Sequence, residues 1–250
     1  MLESGEMISL KLKEEEDNLS SRNPLADIIL GVVIPSIILM KLSGPDMLGY
    51  YLALFMALGF PLGLGMYRYL KTRKMNLFAI LGFSSVILTG ILGLFGASAL
   101  YFAFKEALIP TIFALAFLIS MKTKKPLIIS LFLNEKLLNV NLIEEKVYEK
   151  SLYRKFNNIV LCTNLFFVAS FSLSAILNFV LAVIILQSPP QSAAFLEELG
   201  RMNFISFPVI MVPVVVISIL AVIYFYVATS NLLEVSMDDI TKKNKKNKSS

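Results

Sequence analysis

Six long apolar runs separated by polar gaps dominate the chain: 25–41, 47–67, 77–96, 101–121, 159–187 and 204–229. A bilayer hydrocarbon core about 30 Å thick takes about 20 apolar residues of helix, which five of the runs reach and 25–41 narrowly misses. The pattern predicts an all-α polytopic membrane protein of six transmembrane helices. Ser43-Gly44-Pro45-Asp46 reads as a tight turn between the first two runs. Only a few residues separate the third from the fourth, and Ser188-Pro189-Pro190 ends the fifth. Six helices therefore fall into three hairpins. The domains expected are a tail over 1–22, a transmembrane domain over 23–229 and a Lys-rich tail over 230–250.

Details within the runs predict packing. Asn23-Pro24 suits a helix start, and Asp27 is a candidate helix-start carboxylate in the first turn, where it complements the helix dipole. As an ionisable group in a span it is also a candidate ion or proton ligand. Gly59 and Gly63 recur at four-residue spacing, which lets another helix approach, and Pro61 between them is expected to kink the helix. Gly82, Gly90 and Gly93 give the third run a similar small-residue character. The connection over 122–157 is the largest polar element. Within it, 125–133 is apolar, too short to span and led by lysines, which predicts an interfacial helix on the cytoplasmic leaflet. A charged helix is expected over 144–156. A short outer helix is expected over 192–202, where Glu197 and Arg201 have the i,i+4 spacing of a pair.

Charge orients this pattern. All but Lys41, Lys105 and Arg201 of the 23 Lys and Arg fall in the two tails and the even-numbered gaps. Positive charge resists translocation, so that side is cytoplasmic and the topology is N-in/C-in. The net charge of +5 is then explained by topology and by attraction of the cytoplasmic lysines to anionic lipid headgroups, with no need for nucleic acid. Residues 1–21 hold Glu14-Glu15-Glu16-Asp17 and no apolar stretch, so the first span is expected to direct insertion.

Composition narrows the chemistry. The chain is 56% apolar and contains no His and no Trp. Without His there is no Ser-His or Cys-His nucleophile, no His-ligated metal and no His proton relay. A single cysteine, Cys162, permits no internal disulfide. No phosphate-cradling Gly loop or Asp-rich metal motif is found. We therefore expect no cofactor, no metal and no catalytic residues, and an enzyme is the class least supported.

One polar constellation remains. Span order places Lys105, Glu106, Asn178, Glu198 and Arg201 in the outer half of the bundle, with Thr89 nearby. They are candidates for an outward-facing polar cluster, because ionisable groups in spans tend to face cavities. The competing expectation is local satisfaction, with Lys105 snorkelling outward, Asn178 in an interhelical hydrogen bond and Arg201 paired to Glu197 or Glu198. Glu106 has too short a stem to snorkel and needs a partner such as Arg201 or Asn178, a cavity or a proton. These alternatives separate a non-enzymatic membrane protein from a small-solute or ion transporter.

Several segments together carry a family resemblance: Asn23-Pro24-Leu25-Ala26-Asp27, Gly59-Phe60-Pro61-Leu62-Gly63, Lys105-Glu106-x3-Pro110, Lys125-Pro126-Leu127, Leu177-Asn178-Phe179-Val180-Leu181-Ala182 and Glu198-Leu199-Gly200-Arg201-Met202. The set resembles an uncharacterised family of bacterial multi-pass inner-membrane proteins. More distantly, the region from Phe104-Lys105 to Lys125-Pro126-Leu127-Ile128 and the segment around Asn178 are similar to the intracellular septation protein A family. The chain departs from that family in its longer connection after the fourth run and in its N-terminal region. What the resemblance implies is a bacterial inner-membrane location and a role in envelope integrity or division, possible membrane-protein partners or self-association being left open. It implies no catalytic residues.

Overall fold

The computed structural model describes residues 29–73, 77–123, 126–132 and 138–241. Asp27 and the Asn23-Pro24 helix start lie outside the described residues, as do Lys124, Lys125, 133–137 and the lysines after Thr241. Among the described residues the fold is all helix, apart from one isolated antiparallel bridge between Leu138 and Thr241.

A π-helical stretch, Ile29–Val33, runs into α1 (Ile34–Leu42). Then come α2 (Gly49–Thr72), α3 (Leu77–Leu94), α4 (Ala99–Ser120), α5 (Leu127–Phe132), α6 (Val140–Glu149), α7 (Tyr153–Ile185), α8 (Ala193–Leu233) and α9 (Met237–Ile240). Four helical stretches are long and apolar enough to cross a membrane: Gly49–Lys71, Ala99–Ser120, Tyr153–Ile185 and Ala193–Leu233. The first and third predicted runs form shorter apolar helices, Ile29–Leu42 and Ile80–Leu94.

Local chemistry sets the boundaries. Pro35 sits in the first turn of α1, where a missing N–H costs nothing. α2 ends where Arg73 turns left-handed at φ 52° and donates its N–H to the carbonyl of Tyr69 at 2.7 Å. α7 contains neither Gly nor Pro, and it runs uninterrupted for 33 residues, about 50 Å. That exceeds a bilayer core, as the length of the fifth apolar run anticipates. The charged helix expected to lead into it is a separate element. α6 stops at Glu149, and Ser151 takes φ 53° before α7 begins. The outer helix expected over 192–202 is continuous with the sixth span: α8 runs 41 residues through Pro208 and Pro213.

Two compact units are present. The first comprises the described residues up to Ala97 together with Leu186–Phe204. Here α2 and α3 pack closely: a Cβ on Gly90 would meet Leu58 at 2.9 Å, and one on Gly93 would meet Leu54 at 2.8 Å. Tyr50 donates its hydroxyl to the Gly93 carbonyl at 2.9 Å across the same interface. The start of α8 crosses α1 at Gly200, where a Cβ would lie 2.7 Å from the Ser36 carbonyl oxygen. By contrast, nothing lies within 4 Å of the Cβ positions of Gly59 and Gly63, so among the described residues the tightest glycine contacts are those of Gly90, Gly93 and Gly200.

The second unit comprises Ser98–Ile185 and the described residues from Ile205 onward. Its spine is the antiparallel pair α4 and α7, laced by Phe104 with Phe179, Phe113 with Phe171 and Phe117 with Phe167. Beyond the end of α4, the connection folds into a cap. Ile128, Leu138, Ile143, Val147, Leu233 and Ile240 join Phe117, Ile159 and Phe225 in one buried cluster. The C-terminal end of this segment is fastened in: Ser236 and Asp239 make a reciprocal capping box on α9, and the Asn139 N–H donates to the Ile240 carbonyl at 2.8 Å. Within the stretch expected to be interfacial a short helix forms, α5, with Ile128 1% exposed inside the cluster and its neighbour Leu127 38% exposed.

Candidate functional site

Lys105 and Glu106 lie in the second turn of α4. The Lys105 ammonium donates to Glu106 Oε1 at 2.6 Å. Lys105 is only 8% exposed, so it does not snorkel outward as expected. Glu106 finds its partner in its own neighbour. Adjacent helical residues point about 100° apart and ordinarily do not face each other. A four-carbon lysine stem is long enough to wrap that angle. The pair is neutral overall, which is what makes two ionised groups tolerable in an apolar helix.

Asn178 lies opposite on α7. The rings of Phe104 and Phe179 are 5.3 Å apart, and the same antiparallel offset recurs at Phe113 with Phe171, so Asn178 stands level with the Lys105–Glu106 pair. Its amide turns back on its own helix, donating to the Ser174 carbonyl at 2.8 Å and to the Ser174 hydroxyl at 3.4 Å. The helix packed on α4 thus brings an amide to the level of the pair, but that amide's N–H groups are used locally.

Glu198 and Arg201 belong to the other unit. Glu198 closes the turn before α8: Oε2 accepts the N–H groups of Gln187 and Ser188, each at 2.9 Å, and Oε1 accepts the Ser188 hydroxyl at 2.6 Å. Three donors on one carboxylate make it a structural clamp, since a charged acceptor strengthens each bond. Arg201 is exposed, and among the described residues it forms no ion pair with Glu197 or Glu198. Thr89 is likewise used within its helix, donating to the Ser85 carbonyl at 3.0 Å.

Sequence reasoning passed over the interhelical polar contacts. Asn164, fully buried in α7, donates to the Phe117 carbonyl of α4 at 2.8 Å and accepts from Ser120 at 3.5 Å. Ser170 donates to the Val214 carbonyl of α8 at 3.3 Å. In the first unit, Gln191 donates to the Leu94 carbonyl at 2.9 Å and Ser43 to the Ala193 carbonyl at 3.2 Å. The signal was available for Asn164 alone, as an amide in an apolar run. Single serines are too common in spans to mark a contact. Among the described residues, no group of three His, Cys, Asp or Glu is arranged to hold a metal ion.

Comparison with protein families, with curated proteins and with solved structures finds no match. The functional reading therefore rests on the chain's own residues and on the segment resemblance they carry. Several apolar helices long enough to cross a bilayer are what an integral membrane protein requires.

Proposed function

We propose that this is a bacterial inner-membrane protein with six spans in three hairpins and both termini in the cytoplasm, acting without catalysis in the envelope or in division through helix contacts. One observation carries the reading. The polar groups that could have built a site are occupied within the fold: Glu198 holds the 187–188 turn, Asn178 bonds Ser174 of its own helix, and Asn164 ties α7 to α4. Helices in lipid gain nothing from hydrophobic burial against each other, so such bonds and close glycine contacts are what hold a bundle together. The charge asymmetry supports the orientation, and the septation protein A resemblance supports the role.

A transporter of small solutes or ions is the second reading. It is favoured by the buried Lys105–Glu106 pair standing level with Asn178. Cysteine accessibility separates the two. With Cys162 replaced by Ala, single cysteines at 105, 106 and 178 are exposed to impermeant thiol reagents from each side of the membrane. Access from the outer side only, or from neither, supports the scaffold reading. Access from both sides supports a transport path and sinks it. Reporter fusions after Arg73, Lys136 and Leu233 should score cytoplasmic, and fusions near Asp46 and Gln191 should score external. An external score at Lys136 refutes the six-span topology.

A further inference from the structure

Two features of α4 coincide at Glu106. The first is its ion pair with Lys105, whose side chains are 21% and 6% exposed respectively. The second is Pro110, four residues on and inside the helix. Proline has no N–H, so the Glu106 carbonyl receives no bond from that position and the helix is weakened in the turn that follows the pair. The segment from Ala99 to Glu106 is therefore a short arm joined to the rest of α4 through a loosened turn. Ser98 supplies no side-chain cap at the start of the helix.

We propose that the Lys105–Glu106 pair is a proton-released latch on this arm. The Glu106 carboxylate takes one proton from the aqueous phase and becomes a neutral acid. Lys105 keeps its three ammonium protons and loses only its partner. An unpaired ammonium in an apolar helix is costly, and the lysine stem then carries it toward the start of α4, six residues or about 9 Å away. The arm, hinged at the turn before Pro110, loosens with it. Along the helices of this unit that run beside the pair, few other charges compete. α7 carries no charged residue between Phe156 and Ile185, and α5 has none. The part of α8 in this unit offers only Tyr224 and Tyr226, and on α4 itself Tyr101 lies one turn before Lys105. The latch needs only that water reach Glu106, so it holds under either functional reading.

The test reads Lys105 directly. The protein in nanodiscs, whose two faces are both open, is treated at one fixed pH with an impermeant amine-reactive reagent, and each lysine is quantified by mass spectrometry. Glu106→Gln imitates the protonated acid. Lys105 labelling should rise several-fold over wild type, while Lys41, exposed at the end of α1, stays unchanged and reports an intact fold. Equal Lys105 labelling in the two proteins overturns the latch. If Glu106→Gln does not fold, infrared titration of a carboxyl band carries the test in wild type and Lys105→Gln. The band should respond to acid differently in the two proteins, and a carboxyl band indifferent to Lys105→Gln overturns the proposal. Because neither arm depends on sidedness, an error in the topology would show in the reporter fusions and not here.

Discussion

The ring of Phe104 meets that of Phe179 edge-on at 5.3 Å, and this contact sets the register of α4 against α7. A slip of one helical turn would move Asn178 away from the level of Lys105 and Glu106 and separate Phe117 from Asn164. Cysteines at 104 and 179, in a Cys162→Ala background, should be joined efficiently by a short bifunctional thiol reagent. Cysteines at 104 and 164 should not, because about 22 Å of helix separates 164 from 179. Equal yields in the two pairs would disprove the register.

Glycine substitutions should divide sharply. Gly200→Ala places a methyl 2.7 Å from the Ser36 backbone oxygen, which cannot swing aside as a side chain can. A loss of about 1–3 kcal/mol is expected from overpacking. Gly59→Ala and Gly63→Ala meet nothing within 4 Å and should be neutral or gain up to about 1 kcal/mol from helix propensity. Denaturation of the purified variants in mixed micelles measures both. A stable Gly200→Ala protein would mean that α1 and α8 do not cross there.

Neighbours in α5 should differ as well. Ile128 is 1% exposed in the cap cluster, and Ile128→Ala should cost about 2–5 kcal/mol. Leu127→Ala should cost about 1 kcal/mol or less, since the residue is 38% exposed and lies outside the buried cluster. The readout is hydrogen exchange over α6, whose Ile143 and Val147 share the cluster. Equal effects at 127 and 128 would point to a helix floating on the membrane surface without a packed face.

The cap should also respond to acid. Lys150 sits 2.6 Å from Glu234, beyond the end of α8, and donates to the Leu233 carbonyl at 3.2 Å. Hydrogen bonding and charge from Lys150 hold the Glu234 carboxyl below its ordinary 4.5. A depressed folded value means the contribution is complete above 4.5 and is lost as pH falls through the lowered value. Glu234 is largely exposed and Lys150 about one-third exposed, so the effect is local and weakened by salt. Exchange protection at 234–241 should fall on acidification in wild type and be low and flat in Glu234→Gln. An identical acid response in the two proteins would remove the pair as its cause.

The helical class and four helices long and apolar enough to cross a membrane were legible from hydropathy alone, because burial of backbone polar groups in lipid leaves an apolar run little choice but helix. Proline and glycine marked the turns at 43–46 and 188–190 through their own local backbone preferences. Which small residues touch was not legible. Gly59 and Gly63 carry the stronger motif, yet Gly90, Gly93 and Gly200 make the contacts, because contact depends on which face a neighbouring helix presents. The pairing of Lys105 with Glu106 was missed because sequence adjacency on a helix normally separates side chains, and only the low exposure of the lysine shows that its stem folds back. The cap was hidden for a further reason. Ile128, Ile143 and Ile240 lie in three short segments with no shared periodicity, so only their convergence in space makes them a core. Sequence alone thus determined which stretches are helical and apolar, a property of each run by itself. The partners of each polar and small residue were decided by tertiary structure, because they depend on the register and rotation of helices far apart in the chain.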